Sequence, residues 1–343
     1  MRVFSGLLFL LIFNSLLVFG QHQNTAFQSL ELPISARLAV LNQPLSILDD
    51  DVEMGIYNPA LLNPEMESRL ALNFVDYFAD INFLSASYAF SFKTVGTMAL
   101  SVKSIGYGEF LETDYTSQSY GVFGANEQLV SVGLSKSLSE TWQVGTSLKT
   151  LLSNLENYQS IAVAGDLAMA YTNRPKKIVV SLLAKNYGRQ ISSYTTTKEK
   201  LPFQLDIGLS KQLEHLPFLF SLGYKNIQQW NLTEPITYDS DDNSPQASSL
   251  ADFSKTFFSH IDIGGELTLF KHVQLRMGYN AKRRQDLKLN TYTGMVGFSW
   301  GIGIRFTHFT LNYGRSTYHL HGSPNYFSFS TDFSKFYSTN ENN

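Results

Sequence analysis

Phe203-Gln204-Leu205-Asp206-Ile207-Gly208-Leu209-Ser210 alternates an apolar residue with a polar or small one at every step. Neighbouring side chains of an extended strand point to opposite faces, so this segment is greasy on one side and hydrophilic on the other. Phe218, Phe220, Leu222 and Tyr224 oppose Leu219, Ser221, Gly223 and Lys225 in the same way. Val273, Leu275, Met277, Tyr279 and Ala281 oppose Gln274, Arg276, Gly278, Asn280 and Lys282. Between Arg69 and Phe333 the period of two returns often enough to predict fourteen strands: 68–76, 81–92, 95–105, 127–136, 141–153, 157–172, 177–186, 201–211, 217–226, 257–270, 272–281, 292–300, 303–313 and 325–333.

Fourteen two-faced segments predict a 14-stranded antiparallel transmembrane β-barrel over 68–333. Lipid offers the backbone no hydrogen-bond partner, so a non-helical span must close on itself. Strands of about 9–11 residues span the hydrocarbon when tilted. The apolar face meets lipid and the polar or small face lines the lumen. A soluble β-sandwich is the rival reading, but it does not need so many strands that each keep one apolar face. The aromatic content, 14%, suits girdles at two membrane interfaces.

The gaps indicate an orientation. Lys93-Thr94, 137–140, 173–176, 212–216, Lys271 and Gly301-Ile302 are short; 106–126, 187–200, 227–256, 282–291 and 314–324 are longer, while the gaps after the first and fifth strands break the pattern by being short. Barrels of this class keep tight turns in the periplasm and long loops outside. Both termini are then periplasmic. The last strand, 325–333, is aromatic-rich as a closing strand should be, and a polar tail, 334–343, follows.

Ahead of the barrel, Met1-Arg2 and the apolar run from Leu7 to Phe19 end at Gly20, which predicts a secretory leader over 1–20. The run is short for a spanning helix of about 20 residues. Residues 21–67 do not alternate. They carry Leu32-Pro33-Ile34, Asp49-Asp50-Asp51 and two Asn-Pro pairs, at 58–59 and 63–64, and predict a compact hatch or plug in the barrel mouth.

Charge and composition exclude other classes. The chain has 26 basic and 29 acidic residues, and loss of Arg2 with the leader takes the net charge from −3 to −4. This is not a nucleic-acid footprint. Cysteine is absent, so disulfides and thiolate metal sites are excluded. Carboxylates at 49–51 suit a hard cation but lack the spaced pattern of a calcium loop; Asp239, Asp241 and Asp242 alternate better but lack its glycine and distant glutamate. His319 and His321 have no third ligand in view; His260 and His308 stand singly. No metal, no cofactor and no enzyme is expected, because no nucleophile elbow, zinc helix or phosphate loop is present.

The expected lumen face is charged. Lys149 falls beside Asp166, Lys185 beside Asp206, Lys225 beside Asp262 and Glu266, and Glu266 beside Arg276; Lys103 and Arg305 also point inward. Two readings follow: a salt-linked filling that stiffens the barrel, or a path for solute. The expected outside loops carry Tyr107, Phe110, Tyr115, Tyr120, Phe123, Trp230 and Tyr238, and aromatics of this kind are frequent binding hot spots. The competing reading places some of them in the outer aromatic girdle.

Several stretches resemble a known family. Leu32-Pro33-Ile34-Ser35-Ala36-Arg37, Leu48-Asp49-Asp50-Asp51, Tyr57-Asn58-Pro59-Ala60-Leu61-Leu62 and the run from Leu72 to Asn82 resemble the PorQ family of outer-membrane components of the type IX secretion system of Bacteroidota. Ser153 to Tyr158 and Asp166 to Asn173 resemble its middle. Asn58-Pro59-Ala60 is also similar to a feature of PorV and of the FadL fatty-acid channels, which are 14-stranded barrels with an N-terminal hatch. The resemblance implies an anchor in a cell-surface attachment complex. Its partners would be a PorZ-like surface protein, PorU-like and PorV-like members, and the lipopolysaccharide to which cargo is joined. It carries no catalytic residue. The alternative is a FadL-like channel for hydrophobic ligands.

Overall fold

Fourteen antiparallel strands pair in chain order, and the last returns to the first, so the sheet has no edge. The computed structural model describes residues 25–43, 46, 51–114, 116, 118–232, 249–287, 294–318 and 322–334. The expected leader and the tail beyond Ser334 lie outside them.

The strands are β1 (Arg69–Asp76), β2 (Asn82–Phe92), β3 (Gly96–Thr113), β4 (Ser119–Ser137), β5 (Trp142–Leu155), β6 (Tyr158–Asn173) and β7 (Ile178–Ser192). They continue as β8 (Gln204–Gln212), β9 (Phe218–Tyr224), β10 (Ile261–Leu269), β11 (Val273–Asn280), β12 (Phe298–Arg305), β13 (Phe309–Ser316) and β14 (Asn325–Asp332). Closure runs from Arg69 opposite Asp332 to Asp76 opposite Asn325.

The alternation decides which side is which. Leu148, Leu167, Leu182, Ile207 and Met277 are exposed on the outer wall, while Lys149, Asp166, Asp206 and Arg276 are buried toward the middle. A soluble fold would reverse this. An apolar exterior with all backbone groups paired belongs in lipid.

Residues 25–43, 46 and 51–67 pack inside the ring as a hatch. Its pieces are short: a 3-10 turn at Gln28–Glu31, helix α1 (Ala36–Val40), helix α2 (Met54–Tyr57), and 3-10 turns at Pro59–Leu61 and Pro64–Met66. Each Asn-Pro pair starts one of the last two turns. The Asn58 side chain accepts from the Ala60 N–H at 3.2 Å, and Asn63 accepts from Glu65 at 2.9 Å. Asparagine supplies the cap, and the proline behind it has no N–H to lose. Leu38, Met54, Leu61, Leu62 and Met66 bury their side chains against inward alanines and leucines of the wall.

The wall makes room for this backbone with glycine. A Cβ on Gly133 of β4 would lie 2.7 Å from the Gly55 carbonyl oxygen of α2, and one on Gly314 of β13 would lie 2.8 Å from the Ala36 carbonyl oxygen. Gly133→Val is therefore expected to cost about 1–3 kcal/mol by overpacking, read as a lower thermal midpoint of the reconstituted barrel. Gly106→Val places its side chain where nothing lies within 4 Å, and should leave the midpoint unchanged. Equal midpoints for the two variants would remove the close-approach argument.

Three expectations on boundaries are corrected. The turn expected at Gly301-Ile302 lies in mid-strand; β12 runs on to Arg305 and the real turn is 306–308. Gly301 and Gly303 are there for space, because a Cβ would meet Val40 Cγ2 at 2.9 Å and Arg276 Nη2 at 2.8 Å respectively. Second, most of the expected loop 106–126 is strand: β3 and β4 stay paired from Gly106 opposite Asn126 out to Thr113 opposite Ser119. Third, the expected strand 257–270 begins at Ile261, because its first residues complete helix α3 (Ser249–Ser259). A short helix α4 (Ala281–Leu287) follows β11.

The two ends of the ring differ. The connections 93–95, 138–141, 174–177, 213–217, 270–272 and 306–308 are tight, and they share an end with the start of β1 and the finish of β14. At the other end β3 to β7 overshoot their neighbours. Asn82 pairs with Gly106, so β3 beyond Gly106 has no partner in β2. Past Gly106, β3 and β4 continue as a two-stranded ribbon.

Candidate functional site

Inward charges on adjoining strands meet as ion pairs. Lys149 Nζ lies 2.6 Å from Asp166 Oδ2, Lys185 Nζ 2.6 Å from Asp206, and Lys225 Nζ 2.6 Å from Asp262. Two of the aspartates also take backbone donors. Asp166 Oδ1 accepts from the Asn186 N–H at 2.8 Å, and Asp206 Oδ1 accepts from the Asn226 N–H at 2.9 Å. Both asparagines have positive φ, 59° and 56°, which turns their N–H groups toward the carboxylates. The ladder is written twice, in Ser181-Leu182-Leu183-Ala184-Lys185-Asn186 and Ser221-Leu222-Gly223-Tyr224-Lys225-Asn226. The period-two reading passed over this Ser-Leu-x-x-Lys-Asn repeat, which would have identified both asparagines.

Other wall cations hold the hatch. Lys103 Nζ donates to the Ser29 carbonyl at 2.7 Å and the Leu32 carbonyl at 3.3 Å. Lys225 Nζ donates to the Asn42 carbonyl at 2.7 Å. The tightest tie involves Glu266 of β10. It accepts from Arg37 of α1 through Nε at 3.0 Å and Nη2 at 3.2 Å, and from Arg276 Nε of β11 at 2.6 Å. Glu266 thus bridges a hatch arginine and a wall arginine, all three buried. Sequence placed Lys225 beside Asp262 and Glu266, and Glu266 beside Arg276; Lys225 pairs with Asp262 and Glu266 with Arg276. Arg37 escaped attention because the hatch has no period from which its direction can be read.

Asp51 carries the part of the aspartate triplet that is described; its Oδ2 lies 4.0 Å from Arg37 Nη1. Asp49 and Asp50 lie outside the described residues, as do Asp239, Asp241, Asp242, His319 and His321. Beside Asp51, Asn73 Nδ2 donates to Glu53 Oε1. Burial first, and then the charge of Asp51, push the Glu53 carboxyl up to about 8. Burial thus favours the protonated, uncharged form of Glu53 beside the arginine cluster.

A polar cavity of about 210 Å³ opens beside this cluster at the tight-turn end, lined by Arg37, Glu53, Arg276, Arg305 and His308 among others. Arg305 stands at this mouth rather than in the paired ladder. An apolar groove of about 500 Å³ is on the outer wall instead, between Leu72, Phe74, Ile304 and Phe327. The hatch fills the middle of the ring, where buried apolar side chains such as Leu38, Met54, Leu61 and Leu62 lie beside the ion pairs.

The aromatic residues of the loop end divide into two groups. Phe110 and Phe123 stack across the β3–β4 ribbon with centroids 5.4 Å apart, and Tyr120, Leu111 and Val122 are exposed on it. Tyr107 is partly buried at its base, packed against the cluster of Phe83, Ile105 and Tyr326. Trp230 lies elsewhere, 5.1 Å from Phe253 of α3 and 5.9 Å from His260. His260 is itself packed, with ring nitrogens 2.7 Å from the Lys225 carbonyl and 3.0 Å from that of Trp230. Tyr115 and Tyr238 lie outside the described residues.

No protein-family model matches the chain, and no curated protein matches it. Solved structures do. A "TodX deltaS2S3 mutant monoaromatic hydrocarbon channel" superposes with a TM-score of 0.52 at 14% identity, over 87% of this chain and 98% of that one. A FadL homologue of Pseudomonas aeruginosa gives a TM-score of 0.50 at 8% identity, over 88% of this chain and 99% of that one. The toluene transporter TodX of Pseudomonas putida gives 0.47 at 10% identity, over 91% and 97%. At such identities the likeness concerns the fold alone, a closed barrel of fourteen antiparallel strands.

Proposed function

We propose that this chain is an outer-membrane barrel that works as a non-enzymatic anchor, its lumen held shut by the hatch and its long-loop end turned to the cell surface. The observation that carries the reading is the Glu266 bridge between Arg37 and Arg276. A buried carboxylate shared by hatch and wall fastens the plug. The β3–β4 ribbon supplies a docking surface, with exposed Leu111, Tyr120 and Val122 beyond the lipid. The resemblance at 32–62 and 72–82 supports a type IX attachment complex as the setting, with a PorZ-like surface protein as the partner held and PorU-like and PorV-like members beside it. In that setting the expected leader 1–20 exports the chain, tight turns and termini face the periplasm, and the complex joins cargo to lipopolysaccharide. Replacing residues 109–123 by a tight turn should abolish recovery of the PorZ-like protein with the affinity-tagged barrel. Undiminished recovery with correctly assembled barrels would reject docking through the ribbon.

A second reading is a channel for hydrophobic compounds. The fold likeness to barrels described as a monoaromatic hydrocarbon channel and a FadL homologue supports it, and supports it better than the anchor. The filled, ion-paired lumen counts against it. Uptake of a fatty acid or toluene by vesicles carrying the intact barrel, lost when the hatch is altered, would favour transport.

A further inference from the structure

β10 is preceded by α3, whose last residue is two before the first of the strand. Leu250, Phe253, Phe257 and Phe258 follow one another at the spacing of a single helix side, and all four are exposed. Lys255, also exposed, falls on the other side. Four large apolar side chains left uncovered on eleven residues need a medium to cover them.

The wall beneath identifies that medium. Phe218, Phe220, Leu222 and Tyr224 are the outward residues of β9, opposite in direction to the buried Leu219 and Ser221. Tyr224 is the last of them, at the loop end, and its ring lies 5.6 Å from Phe257. Phe253 lies 6.4 Å from Phe257 and 5.1 Å from Trp230. The apolar stripe of α3 is therefore continuous with the lipid-facing belt through Tyr224. Tyrosine and tryptophan at the end of a membrane strand mark the boundary between hydrocarbon and water.

We propose that α3 lies in the plane of the membrane at this boundary, with Leu250, Phe253, Phe257 and Phe258 sunk among the acyl chains and Lys255 turned to water. The occupant of its apolar side is lipid. A helix of this kind binds by its apolar face at the headgroup boundary without spanning. It fixes the height of the barrel in the bilayer and holds the segment before β10 down against the rim.

The absence of native cysteine makes the test direct. Leu250→Cys, Phe258→Cys and Lys255→Cys are made singly in the full chain, with Leu148→Cys on the outer wall as the hydrocarbon reference. Each is nitroxide-labelled and reconstituted in phosphatidylcholine vesicles, with collision rates measured for oxygen and for a water-soluble nickel chelate. Labels at 250 and 258 should favour oxygen, as at 148, while the label at 255 favours nickel. Labels at 250 and 258 as open to nickel as that at 255 would overturn the proposal and leave the stripe as a surface for a soluble partner. A second readout avoids labelling. In a Trp142→Phe/Trp300→Phe chain, Trp230 emission should be quenched more by lipids brominated near the headgroup than by lipids brominated near the chain end. No quenching by either would equally overturn it.

Discussion

Glu266→Ala is expected to free the hatch from the wall. The carboxylate accepts three hydrogen bonds from two guanidinium groups, those of Arg37 and Arg276, and none of the three side chains reaches solvent to any extent. Removing it leaves two buried positive charges facing each other, with Asp51, 4.0 Å from Arg37, as the carboxylate still at hand. Breaking a buried ion pair by deleting one partner costs about 3–5 kcal/mol. The cost falls on the docked hatch, because Arg37 alone of the two arginines belongs to a segment that can leave. Trypsin reports this directly. In the intact protein the Arg37 peptide bond is shielded inside the ring; in the variant, assembled in bilayers, cleavage after Arg37 should appear while the strands stay uncut. Glu266→Gln keeps the shape and some acceptor capacity, and should lie between the two. A Glu266→Ala barrel as resistant as the parent would show that the hatch is held by its apolar packing, and that the bridge is incidental.

How far the sequence could be read follows from what has a period. Leu205, Ile207 and Leu209 face out while Gln204, Asp206 and Ser210 face in, because a strand in lipid can hide its polar side in one direction only. The inward lysines and aspartates could be paired in advance for the same reason: once the strands are in order, adjoining inward positions are neighbours. Arg37 could not, since α1 is five residues long and its direction is set by the wall it meets. The glycines misled in one place. Gly301-Ile302-Gly303 reads as a turn when glycine is taken as punctuation, but here glycine marks the approach of Val40 and the Arg276 side chain. The β3–β4 ribbon was hidden by its own irregularity. Register shifts occur between Gly106 and Glu109 and again before Thr113, and Gly108 has a φ of 78°. A bulge moves the alternation by one residue, so a pattern followed strictly loses the strand at that point.

Asp166→Ala and its partner Lys149→Met address what the ladder is for. Asp166 accepts from Lys149 Nζ at 2.6 Å, from Ser147 Oγ at 2.7 Å and from the Asn186 N–H at 2.8 Å, with its side chain fully buried and that of Lys149 nearly so. Deleting the carboxylate strands an ammonium in the wall, at an expected cost of about 3–5 kcal/mol. Removing both charges at once, as Lys149→Met with Asp166→Leu, removes the two desolvation costs together with the attraction. Such replacements are neutral or stabilising by about 1–4 kcal/mol where the pair is dry. Here the Asn186 N–H and Ser147 hydroxyl lose their acceptor too, at about 1–3 kcal/mol each, so the double variant should regain part of the single loss. A cycle of Lys149→Met, Asp166→Leu and the double variant, read from urea unfolding of the reconstituted barrel, should therefore show strong coupling. The size of the single loss also separates the two functional readings. A dry, filled lumen makes Asp166→Ala expensive, and the double variant should still recover the surface partner, since an anchor needs a rigid ring and no charged path. A water-filled lumen screens the orphaned lysine, so that Asp166→Ala costs less than about 1 kcal/mol, as exposed pairs do. That outcome, accompanied by altered ion conductance in the double variant, would turn the ladder from a stiffener into the lining of a channel.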